Sequence, residues 1–85
     1  MEYTYVLLSE KDNRFYTGCT NDVEKRLRDH NKGRVPSTAY RVPLKLIYYE
    51  ACFDHMDAIR RERFLKTGKG KQFLKRRLAG FLSTV

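Results

Sequence analysis

Apolar and polar residues alternate at the start of the chain and then switch to helical spacing. Residues 3–8, Tyr-Thr-Tyr-Val-Leu-Leu, predict a strand with Tyr3, Tyr5 and Leu7 on one face and Thr4, Val6 and Leu8 on the other. Ser9–Asn13 is polar and reads as a hairpin loop. Residues 14–19 form the return strand, with Tyr16 and Gly18 on one face and Phe15 and Thr17 on the other. An antiparallel hairpin can bring Tyr5 and Tyr16 side by side, while a loop of this length leaves the register open. Thr20, Asn21 and Asp22 each offer an N-cap. The helix that follows runs from about Asp22 to Lys32 and stops at Gly33.

Arg34–Pro43 is a loop containing Tyr40 and Arg41. Leu44–Phe53 reads as a third strand, and its middle, apolar on both faces, predicts a central place in the sheet. Asp54 caps a second helix, His55–Lys66. Thr67-Gly68-Lys69-Gly70 reads as a basic turn. Lys71–Leu82 is a third helix with a core stripe of Phe73, Leu74, Leu78, Phe81 and Leu82. The order β-β-α-β-α-α predicts an α/β domain of the α+β type: a three-stranded, mostly antiparallel sheet packed by three helices.

Eighty-five residues make one domain with one compact core, so residues 1–85 are read as a single unit. The net charge of +8 changes the functional picture, because it favours an anionic partner. The basic residues are interleaved with apolar ones and so coat a folded body. No apolar run approaches the ~18 residues of a membrane span. Met-Glu-Tyr-Thr-Tyr lacks the basic start of a signal peptide, so the expectation is a cytoplasmic protein. Cys19 and Cys52 are too few and too far apart for a zinc site and read as small buried hydrophobes.

Candidate chemistry comes from helix faces. Val23, Leu27 and His30 fall at i, i+4 and i+7, and Arg26 borders that stripe. Tyr16, Arg26 and His30 can therefore reach one small volume, although a histidine on an apolar face is also commonly structural. Glu62 follows Ala58 by four and Ile59 by three, which sets a carboxylate on or beside the apolar face of the second helix. Such a group is costly unless it is paired with an arginine or binds a cation. Magnesium commonly uses one or two carboxylates and completes its shell with water and phosphate oxygens. Phosphodiester cleavage needs related parts: a group to orient or deprotonate water, a cation for the phosphate charge, and a metal for the leaving oxygen.

These residues resemble the GIY-YIG endonuclease domain, specifically its small stand-alone bacterial members. Tyr3-Thr4-Tyr5 stands in the place of the first motif and Tyr16-Thr17-Gly18 in that of the second. The stretch from Asp22 to Asn31 is similar to the helix motif, with its arginine at Arg26 and its His or Tyr position at His30. Arg61–Lys66 resembles the segment that supplies the metal carboxylate, at Glu62. The resemblance covers nearly the whole chain. It implies that Tyr16 or Tyr5, with His30, positions and deprotonates the attacking water. It implies that Arg26 stabilises the scissile phosphate and that Glu62 holds one Mg²⁺ or Mn²⁺ ion near the leaving 3′ oxygen. The first motif departs from the family name by carrying Tyr3 where that name has glycine.

The leading expectation is a metal-dependent endonuclease acting on DNA, with repair or recombination of branched or damaged DNA as its setting. Arg28, Lys32, Arg34, Arg41, Lys66, Lys69 and Lys71 are the expected backbone contacts. The alternatives are a non-catalytic nucleic-acid-binding module and an interaction domain for an acidic protein. A mere binder has no need of an acid that repels phosphate, and that favours the first.

Overall fold

A computed structural model describes residues 1–84. Three strands, β1 (Glu2–Ser9), β2 (Phe15–Thr20) and β3 (Leu44–Cys52), form one antiparallel sheet in the order β2-β1-β3. Four helices follow or interrupt them: α1 (Val23–Asn31), α2 (His55–Leu65), α3 (Gly68–Arg77) and the single turn α4 (Ala79–Leu82).

The expected central strand is corrected. β1, not β3, lies in the middle of the sheet. Every β1 residue from Thr4 to Ser9 is buried, whereas β3 alternates and leaves Tyr49 55% exposed. Apolar residues on both faces of β3 come from cover above and below, with one lateral edge still open. A bulge adds to the effect: Val6 faces Tyr48 but Leu7 faces Leu46, so Ile47 is an extra residue. Ile47 and Tyr48 consequently pack into the same layer.

The sheet separates two cores. On one face Tyr5, Leu7 and Leu44 pack with Tyr16 and Leu27, under α1. On the other, Val6 packs with Leu65 of α2 and Leu74 of α3. Helix starts follow the sequence. The Asp22 side chain accepts the Lys25 N–H, and that of Asp54 accepts the Met56 and Asp57 N–H groups. Gly33, at φ +74°, closes α1 as a left-handed residue.

The Thr67–Gly70 turn is also corrected. Thr67 caps α3 by accepting the Gly70 N–H at 3.1 Å, so the glycines belong to the helix. The last predicted helix is divided at Leu78, whose φ of −108° and ψ of 19° leave helical geometry. Asn31 fastens α1 to β3 with two bonds, accepting the Leu44 N–H at 2.7 Å and donating to the Leu44 carbonyl at 2.9 Å. That clamp fixes where the inner face of α1 meets the sheet.

Candidate active site

β1, β2 and α1 bring four of the five predicted site residues together. Tyr5 of β1 pairs with Gly18 of β2, and Tyr16 lies two residues along on the same face. The Tyr5 and Tyr16 rings are 6.4 Å apart. A Cβ on Gly18 would lie 2.5 Å from the Tyr5 hydroxyl oxygen, so the bare glycine supplies the space that the phenol occupies. From α1, the His30 ring stands 5.0 Å from that of Tyr16 and 5.8 Å from that of Tyr5.

Hydrogen bonds join the group. His30 Nε2 and the Tyr5 hydroxyl are 2.9 Å apart, and Arg26 Nε donates to the same hydroxyl at 3.4 Å. His30 Nδ1 lies 2.7 Å from Thr38 Oγ1. Burial pushes the Tyr5 phenol above its ordinary pKa, and the Arg26 bond offsets this only in part. Burial and then the Arg26 charge lower His30 to about 4. Both groups are therefore neutral near pH 7.

A stability prediction follows. His30 is fully buried, and its folded pKa lies below the unfolded value near 6.5. Below that value the unfolded chain takes up a proton that the folded chain refuses, so stability falls as pH drops from about 6.5 toward about 4. The loss amounts to about 3 kcal/mol. Thermal melts across this range are expected to show it, and His30→Gln to remove the slope. The depressed carboxylates Asp12, Asp29 and Glu62 lose their contributions mainly below about pH 4.5, so the slope above that belongs to His30.

Glu62 is not part of this hydrogen-bonded group. It lies on α2, on the other layer, next to Cys19 of the edge strand β2. Its partner is Lys66 at 2.7 Å rather than an arginine. Arg61 is drawn to Glu50 at 2.9 Å and lies over the rings of Phe64 and Phe73. Burial raises the Glu62 carboxyl, but the bonds from Lys66 and Cys19 outweigh it, so its pKa lies below the ordinary value. The Cys19 thiol, buried and beside that carboxylate, is pushed up to about 11. Both cysteines are free and only half-buried, less covered than the small buried hydrophobes the sequence predicts.

A groove of about 370 Å³ has both Arg26 and Cys19 in its wall. Its acids are engaged: Glu2 with His55, Asp22 with the α1 cap, and Asp29 with Lys25 and Arg34. Among the described residues, no three His, Cys, Asp or Glu side chains are grouped to hold a metal. A single carboxylate with water and phosphate oxygens is the donor set that fits Glu62.

The expected backbone contacts divide. Arg28, Lys32, Lys69 and Lys71 are exposed, with no acidic partner among the described residues. Arg34 and Lys66 are held in ion pairs. Arg41 is also engaged: it binds Asp12 at 2.7 Å and donates to the carbonyls of Arg14 and Phe15, tying the 34–43 loop to the hairpin. Thr38, buried against His30, was not a candidate, because a threonine in a polar loop carries no periodicity to mark it.

A family model described as the GIY-YIG catalytic domain matches residues 1–77. The chain is 42% identical to a UPF0213 protein of Clostridium perfringens over 67 residues, covering 78% of this chain and 71% of that protein. It is 40% identical to a UPF0213 protein of Staphylococcus haemolyticus over 74 residues, covering 86% and 89%. The solution NMR structure of a UPF0213 protein from Bacillus halodurans is similar to it, with 33% identity and a TM-score of 0.52. That likeness covers 87% of this chain and 82% of the other. No helix among the described residues is long and apolar enough to cross a membrane.

Proposed function

The chain belongs to the GIY-YIG catalytic-domain family, and from that premise we propose that it is an endonuclease that hydrolyses DNA phosphodiester bonds with one divalent ion, Mg²⁺ or Mn²⁺. The observation that carries this reading is the chain of contacts from Arg26 through Tyr5 to His30, with Tyr16 packed against it. A module that only bound nucleic acid would have no use for a buried, neutral proton acceptor behind a phenol.

The residues divide the work. Tyr5 or Tyr16 orients the attacking water. Tyr5 relays a proton: it gives its hydroxyl proton to His30 Nε2 as it takes one from the water, and so remains neutral before and after. His30 is neutral near pH 7, so its Nε2 lone pair is open to that proton, and its depressed pKa means that it holds the proton only transiently before passing it on. Arg26 spends Nε on Tyr5 and keeps its two terminal nitrogens for the phosphate oxygens, where negative charge develops. Glu62 would hold the metal ion, in competition with Lys66. When bound, the ion supplies positive charge at the leaving 3′ oxygen. Arg28, Lys32, Lys69 and Lys71 hold the polymer backbone. Branched or damaged DNA, in repair or recombination, is the proposed setting.

The test is cleavage of supercoiled plasmid and of branched DNA with Mg²⁺, Mn²⁺ or EDTA. Wild type is expected to cut only with metal. Arg26→Ala is expected to lose roughly 10²–10³-fold in turnover, the scale of removing one group that stabilises transition-state charge. No cutting of either substrate with either metal, together with retained DNA binding, would leave the binding module as the better reading.

A further inference from the structure

We propose that Thr38 is a positioning residue that locks His30 in the tautomer whose Nε2 lone pair faces Tyr5. The tautomer follows from counting protons. Tyr5 is 2% exposed, and His30 and Thr38 are fully buried, so their polar atoms depend on one another. Four donors are present: Arg26 Nε–H, Tyr5 O–H, one His30 ring N–H and Thr38 O–H. Four contacts are available: Arg26 to Tyr5 at 3.4 Å, Tyr5 to His30 at 2.9 Å, His30 to Thr38 at 2.7 Å, and Thr38 to the Val35 carbonyl at 3.4 Å.

With the proton on Nδ1, each donor has its own acceptor. Nδ1–H donates to Thr38, Thr38 to Val35, Tyr5 to Nε2, and Arg26 to Tyr5. With the proton on Nε2, both that N–H and Arg26 point at the Tyr5 oxygen. The Tyr5 O–H then has no acceptor among the described residues, and Thr38 must turn from Val35 to Nδ1. A buried hydroxyl proton without an acceptor is costly, so the first arrangement holds.

The loop is built to present Thr38. The Thr38 N–H donates to the Val35 carbonyl at 3.0 Å, and the Arg41 N–H donates to the Thr38 carbonyl at 2.8 Å. Val35 is buried, and Arg41 is tied to Asp12 on the hairpin. Both flanks of Thr38 are therefore anchored. When His30 takes up a proton at Nε2, its Nδ1–H keeps the same acceptor and nothing has to rearrange. The catalytic consequence rests on the endonuclease reading, and the tautomer does not.

The experiment measures ring-nitrogen NMR shifts of ¹⁵N-histidine-labelled protein at pH 7.5, with His55→Gln to assign the two histidines. Wild-type His30 is expected to carry its proton on Nδ1. Thr38→Val, which keeps the shape and removes the hydroxyl, is expected to shift it to Nε2 or to a mixture, and Thr38→Ser to restore it. In the cleavage assay Thr38→Val is expected to lose roughly 10–100-fold in kcat, the scale seen when an outer partner of a working histidine is removed. KM for DNA should stay unchanged and the Ser variant should recover. A wild-type Nε2–H tautomer, or a Thr38→Val protein with the wild-type pattern, overturns the assignment. An altered tautomer with unaltered kcat overturns the positioning role. A wild type that cuts no DNA overturns the endonuclease reading, and the NMR arm still decides the tautomer.

Discussion

Glu62→Ala is expected to bind DNA and not to cut it. The carboxylate is half-buried on α2, ionised near neutrality, and separate from the Tyr5–His30 group proposed to handle the proton. Removing it takes away the proposed protein ligand of the metal and leaves the proton path intact. A bound cation contributes several kcal/mol of charge stabilisation in phosphoryl chemistry, so the expected loss in kcat is roughly 10³-fold. DNA affinity should hold or rise, because the substitution deletes a negative charge from a basic surface. The fold should persist, since the Lys66 pair at i,i+4 is a surface pair worth only a few tenths of a kcal/mol. The measurement is single-turnover cleavage beside a binding titration and a thermal melt. A variant that still cuts at the wild-type rate would remove Glu62 from the mechanism. A variant with a collapsed melt would make the carboxylate structural.

Much of this architecture was readable because it depends on local chemistry. The hairpin follows from period-two alternation, the starts of α1 and α2 from Asp22 and Asp54, and the end of α1 from Gly33. The site residues of α1 were readable for the same reason: three- and four-residue spacings put Arg26 and His30 on the side that meets the sheet. What depends on a distant partner was not readable. β1 and β3 both carry apolar residues on both faces, and only the pairing decides which is flanked twice. Glu62, read as either paired with an arginine or binding a cation, pairs with Lys66, while Glu50 across the layer holds Arg61. That Arg41 ties the loop to the hairpin was equally hidden, because Asp12 and two carbonyls converge on it from 26 to 29 residues away. Thr38 meets His30 only when the loop folds over that ring. In each case the missing information is a contact between segments, which no spacing within one segment carries.

The largest expected effect on stability lies at Gly70, far from the candidate chemistry. α3 crosses the end of α2 so closely that a Cβ on Gly70 would lie 2.5 Å from Leu65 Cα and nearer still to the Phe64 carbonyl oxygen. Both obstacles are backbone, so no side-chain rotation relieves the clash. The alternative is to move α3 as a body. Leu74 is fully buried against Val6 and Leu65, so that movement opens the second core. Overpacking of a tight interior typically costs about 1–3 kcal/mol and sometimes more, and a backbone obstacle places Gly70→Ala at the upper end or beyond. For a domain of this size, about 3 kcal/mol is a fall of more than ~12 °C in Tm. Gly68→Ala is the internal control. It lies in the same turn of α3 with no atom within 4 Å of the added Cβ, and it should be neutral or stabilise by about 0.4–1 kcal/mol through the unfolded chain. If both variants melt like wild type, α2 and α3 do not approach as closely as described. If only Gly70→Ala falls, the loss is steric and belongs to the α2–α3 crossing. It should then reach the proposed active site through Glu62, whose helix carries the contact, and Gly70→Ala is expected to lose the proposed cleavage at lower temperatures than wild type.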